Sequence, residues 1–290
     1  MPLADCQVQV RTLVMGPGTQ YRVLPEFNPF IRTARADQGG PRAWNHGSWS
    51  GAEWADEAVV PIPLSVGQQG GSIGSWLALH QQLAAAFAPV GDTGEQVELR
   101  WVYGGSEYVM FGRPRMVAPR TDHIAVGKAV TQCALVAQDP RIYAGILSSA
   151  QTGLPTQTGG LTLPLTVPFT IDGVLTGGRV DLLNAGTTDT ALTLRIDGPV
   201  LSPTVVIQRV DGSVQQIRFD LDLAAGQWLD ISSAARTALL NGLPQANQRG
   251  RAIWDIDPYP LQPGTSVLRF LAGGFNVTTE ITASWRSAWW

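Results

Sequence analysis

Residues 75–87 repeat their apolar side chains at helical spacing, and almost every other apolar run in the chain alternates with period two or is cut by Gly or Pro. Trp76, Leu79, Leu83 and Phe87 recur every three to four residues, Ser72 or Ser75 stands where a cap is needed, and Pro89 closes the run. One such helix among many short strands must lie on a sheet. The 32 Gly and 20 Pro are spread along 290 residues, which supplies turns for short strands and argues against a disordered or collagen-like chain. The expected fold class is mainly β.

Residues 7–14 and 21–24 read as strands flanking Gly16-Pro17-Gly18, hence a hairpin. Residues 59–66 alternate but contain Pro61 and Pro63, which cannot donate ladder hydrogen bonds, so this run is expected as an edge strand or an extended arm. Residues 95–103 and 107–112 form the next hairpin around Gly104-Gly105, and 128–137 is a further strand. The second half is more regular. Leu192, Leu194 and Ile196 alternate with Thr193, Arg195 and Asp197. Residues 206–210 lead into Asp211-Gly212, a two-residue hairpin signal, and out through Ile217, Phe219, Leu221 and Leu223. The last strand alternates Phe275, Val277, Thr279, Ile281, Ala283 and Trp285 with polar residues, whereas 232–240 reads equally as a short helix or as a turn between strands. Turns at this spacing match an antiparallel sandwich.

A chain of this length, 44% hydrophobic, can bury one large core or two ordinary ones. The join over 139–160 carries no charge beyond Asp139 and Arg141 and no long periodic run. It predicts a first domain over 1–150, a linker over 151–168 and a second domain over 169–290.

Several functions are disfavoured. The net charge of −3 is shared, with 11 basic and 12 acidic residues in 1–150 and 9 and 11 in 151–290, and no basic tract offers the clustered cations that phosphate binding needs. Cys6 and Cys133 are too few for a disulfide framework, match no zinc spacing and are expected as buried thiols. The opening residues lack the pattern of a secretory signal and no run approaches a membrane span, so the chain is expected to stay in the cytoplasm, with no membrane insertion. The sequon Asn276-Val277-Thr278 then has no route to glycosylation.

Motifs for chemistry are thin. Gly70-Gly71-Ser72-Ile73-Gly74 matches a nucleophile elbow, but one helix among strands is not an α/β-hydrolase, and a capping serine on a glycine loop accounts for it. His80 falls on the helix, His46 in a loop, and His123 alone follows the serine outside the helix. Gly91-Asp92-Thr93-Gly94 resembles an aspartic-protease loop without the second copy that shared-proton catalysis requires. Asp220 with Asp222 and Asp255 with Asp257 read as solvated strand faces rather than calcium ligands, and Gly127-Lys128 is no phosphate loop. No catalytic residue, no metal and no cofactor is assigned, and the chain is expected not to be an enzyme.

The ten tryptophans remain. Trp285, Trp289 and Trp290 crowd the C-terminus; Trp44, Trp49 and Trp54 crowd the run PRAWNHGSWSGAEW. Any single Trp most often fills a core, but aromatics off the regular pattern mark protein interfaces or sugar-stacking platforms. Trp44, Trp49, Trp54, Val59, Pro61 and Pro63 are the candidate subunit-interface residues.

The order of features resembles the distal tail proteins of phages with long non-contractile tails, particularly those infecting actinobacteria. The likeness is carried by GPRAWNHGSW, the helix LHQQLAAAF, YVMFGRPR, AQDPRIY, GGLTLPLTVPF, NAGTTDTALTLRIDGPVLSPTVV and LQPGTSVLRFLAG, which together cover nearly the whole chain. The resemblance implies a β-rich N-terminal ring-forming domain with one α-helix and a C-terminal antiparallel β-sandwich, galectin-like or carbohydrate-module-like. It implies a structural virion protein at the phage tail tip, assembled in the host cytoplasm as a homo-hexamer. Implied partners are the tail tube protein, the tail-associated tip protein and receptor-binding proteins, with DNA passing through the channel without specific binding. The alternative is a carbohydrate-binding module protein acting in host-surface adhesion.

Overall fold

The computed structural model describes residues 2–37, 39–91, 94–158, 174–253, 260–274 and 276–290. They gather into two compact units, Met1–Ile146 with Trp289–Trp290, and Leu147–Ala288.

In the first unit the antiparallel pairing order is Leu13–Met15, Val8–Val10, Val97–Tyr103, Ser106–Pro119, Lys128–Ala137, Ala58–Gly67 and Tyr21–Val23. The long strand Ser106–Pro119 pairs with Val97–Tyr103 up to Gly112 and with Lys128–Ala137 from Arg113 onward, with a shift of register between Pro114 and Met116. Gly112 stands at the changeover. A Cβ there would lie 2.3 Å from Leu135 Cδ2 and 2.6 Å from Val136 O, so the bend needs a residue without a side chain. Gly104 and Gly105, at φ 59° and 74°, make the two-residue turn that joins Tyr103 to Ser106.

The hairpin expected across Gly16-Pro17-Gly18 does not form. Val8–Val10 instead turns back on Leu13–Met15 through Arg11, at φ 53°, and Tyr21–Val23 pairs with Leu64–Val66 at the far end of the order. A tertiary contact holds that turn: the Arg11 guanidinium donates to Ala85 O and Ala88 O at 2.8 and 2.9 Å, placing a cation at the negative C-terminal end of the helix.

The helix is Ile73–Ala86. Ser72 Oγ accepts from Ser75 N, and Ser75 Oγ accepts from Ser72 N, each at 3.1 Å, a reciprocal capping box. Trp76, Leu83 and Phe87 are buried and join Val60, Ile62, Leu64, Leu99, Trp101 and Leu135 in one core. Each fully buried side chain of that size contributes about 1.5–3 kcal/mol.

Ala58–Gly67 is not an extended arm, because its alternate residues Val60, Ile62, Leu64 and Val66 are core. It is an edge over its first half only. Pro63 O accepts from Leu24 N and Gly67 N donates to Gln20 O, so odd-numbered backbone groups face the Tyr21–Val23 side. The nitrogens of Pro61 and Pro63 therefore point away from Lys128–Ala137, whose pairing runs unbroken from Ala58 to Gly67.

The second unit holds two larger antiparallel sheets and a two-stranded ladder of Thr156–Thr158 with Val174–Thr176. One orders Ser148–Gly153, Glu280–Trp285, Leu192–Asp197, Trp228–Ser232 and Thr237–Leu240; the other orders Arg179–Asn184, Gly264–Leu271, Thr204–Gln208 and Val214–Arg218. Leu192, Leu194 and Ile196 are buried, as their alternation predicts, and they share one core with Val205, Phe219, Leu268 and Phe270 of the facing layer.

Three local expectations change and one open alternative is resolved. Residues 151–153, expected as linker, belong to a strand that pairs with Glu280–Trp285, while 159–168, including the start of GGLTLPLTVPF, lie outside the described residues. The loop at Asp211-Gly212 closes on Arg209 N donating to Ser213 O and so holds three residues rather than two; Asp211 Oδ1 accepts from both Ser213 N and Ser213 Oγ. The last strand begins at Glu280, because Asn276 Oδ1 accepts from Thr278 N in an Asx turn that leaves Val277 exposed; Phe275 lies outside the described residues. Of residues 232–240, left open between helix and turn, 233–236 form a turn between the strands Trp228–Ser232 and Thr237–Leu240.

Candidate functional site

Between Tyr21–Val23 and Ala58–Gly67 the chain leaves the main sheet as a separate ladder. Ala34–Asp37 pairs with Ala52–Ala55 and, further out, Gly40–Pro41 pairs with Ser48–Trp49. Arg42 N donates to Gly47 O at 3.1 Å and closes the tip, where Trp44 takes a left-handed φ of 67°. No described side chain between 34 and 55 is buried. A lone two-stranded ladder is marginal in water, and this one has no fully buried side chain among the described residues.

That hairpin carries three of the six candidate interface residues. Trp44 is 103% exposed, Trp49 65% and Trp54 59%, with the Arg42 guanidinium 4.8 Å from the centre of the Trp49 ring. Val59 follows on the adjoining strand and is half exposed. Pro61 is half-buried, and Pro63 is buried inside the sheet, unlike the exposed tryptophans.

A second feature of the same unit escaped sequence reasoning. A cleft of about 510 Å³ is lined by Cys6, Pro17, Val23, Leu24, Phe27 and Tyr103 among others. Phe27 and Phe30 flank Tyr103 with ring centres 6.3 and 6.2 Å away. Its wall joins residues 6, 16–27 and 103, so only the density of Pro and aromatic residues in 17–30 hints at it.

The residues singled out for chemistry are otherwise occupied. The Ser72 hydroxyl is engaged by Ser75, and a nucleophile needs a base within reach. His80 stacks on Trp76 at 5.0 Å with an interplanar angle of 8°, His123 is an exposed partner of Asp122 at 3.7 Å, and His46 lies exposed at the hairpin tip. Both cysteines are free. Cys133 is buried as expected and its thiol is pushed up to about 12 by burial, whereas Cys6 is exposed, because the segment around it forms the cleft rim instead of a core strand. Among the described residues no group of three or more His, Cys, Asp or Glu side chains gathers as a metal site; Asp92, Thr93, Asp255 and Asp257 lie outside those residues. Asp222 Oδ1 accepts from Ser202 N. No helix is long and apolar enough to cross a membrane, among the described residues.

The run Asp139-Pro140-Arg141-Ile142-Tyr143 is a structural knot. Arg141 Nη2 and Tyr143 Oη donate to Asp139 Oδ2 at 2.7 and 2.6 Å. Burial alone would raise the Asp139 carboxyl, but the hydrogen bonds from Arg141 and Tyr143 outweigh it and hold the group below its usual range.

A chain that is mostly β, with one α-helix among the described residues and two separately cored units, has the fold of siphophage distal tail proteins, the class that the sequence motifs resemble. No protein-family model matches the sequence, and no curated protein does. Among solved structures, the Dit protein of phage SPP1, described as a paradigm of hub adsorption apparatus in phages infecting Gram-positive bacteria, aligns over 98% of this chain and 99% of its own with a TM-score of 0.58 at 11% identity. A chain of the phage P2 baseplate in its activated conformation, solved with Ca and again with Sr, aligns over 97% of this chain and 98% of its own with a TM-score of 0.55 at 9% identity.

Proposed function

We propose that this chain is a structural virion protein, the distal tail hub of a long-tailed phage. Identical copies close into a hexameric ring that joins the tail tube to the tail-tip apparatus and leaves a channel for DNA. The observation that carries this reading is the correspondence of fold with a phage tail hub protein, which spans 98% of this chain and 99% of that one.

The first domain, over residues 1–150, supplies the ring contacts through a head-to-tail interface, the kind that closes when its rotation fits. Trp44, Trp49, Trp54 and Val59 are the exposed part of that interface, with Pro61 beside them. A permanent contact of this sort buries well over about 1,000 Å². The second domain, over 169–290, is a galectin-like sandwich directed outward. Partners on the two sides of the ring are the tail tube protein and the tail-associated tip protein, with receptor-binding proteins attached to the hub. The near-balanced charge suits a channel that passes a duplex, since a basic lumen would hold it by counterion release. The chain performs no catalysis in this reading and needs no cofactor.

The test is location. Antibodies against the purified chain should label intact virions at the free end of the tail, seen by electron microscopy, and label along the tail shaft or on the head would overturn the proposal.

A further inference from the structure

We propose that the pocket between Arg22 and Lys128 in the first unit binds a phosphate oxyanion, a function that goes beyond the hub reading and does not depend on it. Three neighbouring strands deliver its residues to one face. Tyr21–Val23 pairs with Ala58–Gly67 so that Arg22 stands opposite Ser65; Lys128–Ala137 pairs on the other side, with Val130 opposite Ser65 and Lys128 opposite Gly67. Side chains directly across a ladder share a face, so Arg22, Ser65 and Lys128 all stand on the side away from the core residues Leu64 and Val66. With strands about 4.8 Å apart and residues about 3.4 Å along each, the Cα atoms of Arg22 and Lys128 lie roughly 12 Å from one another, within joint reach of two long side chains. The two cations line one pocket of about 430 Å³ together with Thr19, Ser65, Gln68 and Gln69.

The cations have no counter-charge. Among the described residues neither Arg22 nor Lys128 forms an ion pair, although Lys128 is half-buried. A cation that has lost part of its water without gaining a carboxylate is costly, and an incoming anion offsets that cost. The nearest acids along the chain are Glu26 and Asp122; neither lines the pocket, and Asp122 lies 3.7 Å from His123. A further cation joins the same face, because Arg120 N donates to Val130 O and sets Arg120 opposite Val130.

Ser65, on the strand between the two cations, is the residue that asks for a ligand. It is only 6% exposed, and its hydroxyl has no partner among the described residues. A hydroxyl that deep is ordinarily hydrogen-bonded, and here it lines the pocket, where it can donate to an oxyanion. The donor set selects phosphate over carboxylate. Two cations match the charge of about −1.5 to −2 that a phosphate group carries at pH 7. The Arg22 guanidinium presents paired N–H groups that fit two phosphate oxygens, and Ser65 with the exposed amides of Gln68 and Gln69 supplies donors for the rest. The Thr19 hydroxyl is already committed to Gly16 O at 2.8 Å.

Titration calorimetry of the purified full chain with inorganic phosphate tests the site. The parent should saturate at one phosphate per chain, Arg22→Gln and Lys128→Gln should each bind at least tenfold more weakly, and Ser65→Ala about threefold more weakly. Arg218→Gln, which removes an exposed cation of the second unit, should bind as the parent does. Because Arg22 and Lys128 hold no partner among the described residues, both variants should keep the parent's thermal midpoint, which separates lost binding from lost fold. Acetate should bind at least tenfold more weakly than phosphate. A nucleoside monophosphate that binds more tightly than inorganic phosphate, and loses that affinity in Lys128→Gln, would assign the site to a phosphate ester; equal or weaker binding would assign it to the free ion. A parent chain that takes up no phosphate, or that takes up as much after both substitutions, would overturn the proposal, as would acetate binding equal to that of phosphate.

Discussion

At the scale of single residues, Gly112, Cys133 and Asp139 carry checkable consequences. Gly112→Ala puts a methyl into Leu135 and the Val136 carbonyl at the bend of Ser106–Pro119, an overpacking expected to cost about 1–3 kcal/mol in urea unfolding. A loss under a few tenths would mean the bend relaxes freely. Cys133, whose thiol burial raises to about 12, should resist thiol reagents in the native chain while Cys6 reacts at once. Because that value is raised, the stability it contributes is complete below the ordinary thiol range and is lost as pH climbs towards about 12. Asp139 behaves oppositely. Its carboxyl is held below the ordinary range, so its contribution is present above that range and is lost as pH falls through the lowered value. With a third of its side chain wet, Asp139→Asn should cost about 1 kcal/mol at pH 7, and the variant and the parent should converge in acid. A difference that persists unchanged in acid would assign the loss to packing instead.

At the scale of elements, the helix and the hairpin separate folding from function. Ser72→Ala removes the cap and should lower stability by about 1 kcal/mol while ester hydrolysis stays at the level of buffer alone, before and after the change. Serine-dependent turnover would restore the hydrolase reading. Replacing residues 39–49 by a two-residue turn removes no buried side chain, so the circular dichroism and midpoint of the first unit should persist while assembly is lost. The same contrast explains what was legible beforehand. Leu192, Leu194 and Ile196 face one core and Trp76, Leu83 and Phe87 another, so their periods of two and three to four show in the sequence. The described side chains of the 34–55 hairpin include none that is buried, so no alternation announces it; only its tryptophans do. Tyr21–Val23 was placed with the wrong partner because its pairing with Leu64–Val66 is long-range, and the cleft, assembled from three separated segments, was invisible for the same reason.

At the scale of the molecule, two cores predict two cooperative blocks. Residues 147–288 produced alone should fold, since their two sheets share a complete core. Residues 1–146 alone lack Trp289, whose ring meets Tyr108 edge-on at 5.9 Å within the first unit, and should be less stable than that unit in the full chain by about 0.5–1.5 kcal/mol. The larger proposal is that the first unit's exposed hairpin is covered by copies of this same chain. Native mass spectrometry of the purified protein tests it most directly. A particle of six 31.1 kDa chains is the expected result, and a stable single chain at micromolar concentration would contradict the account.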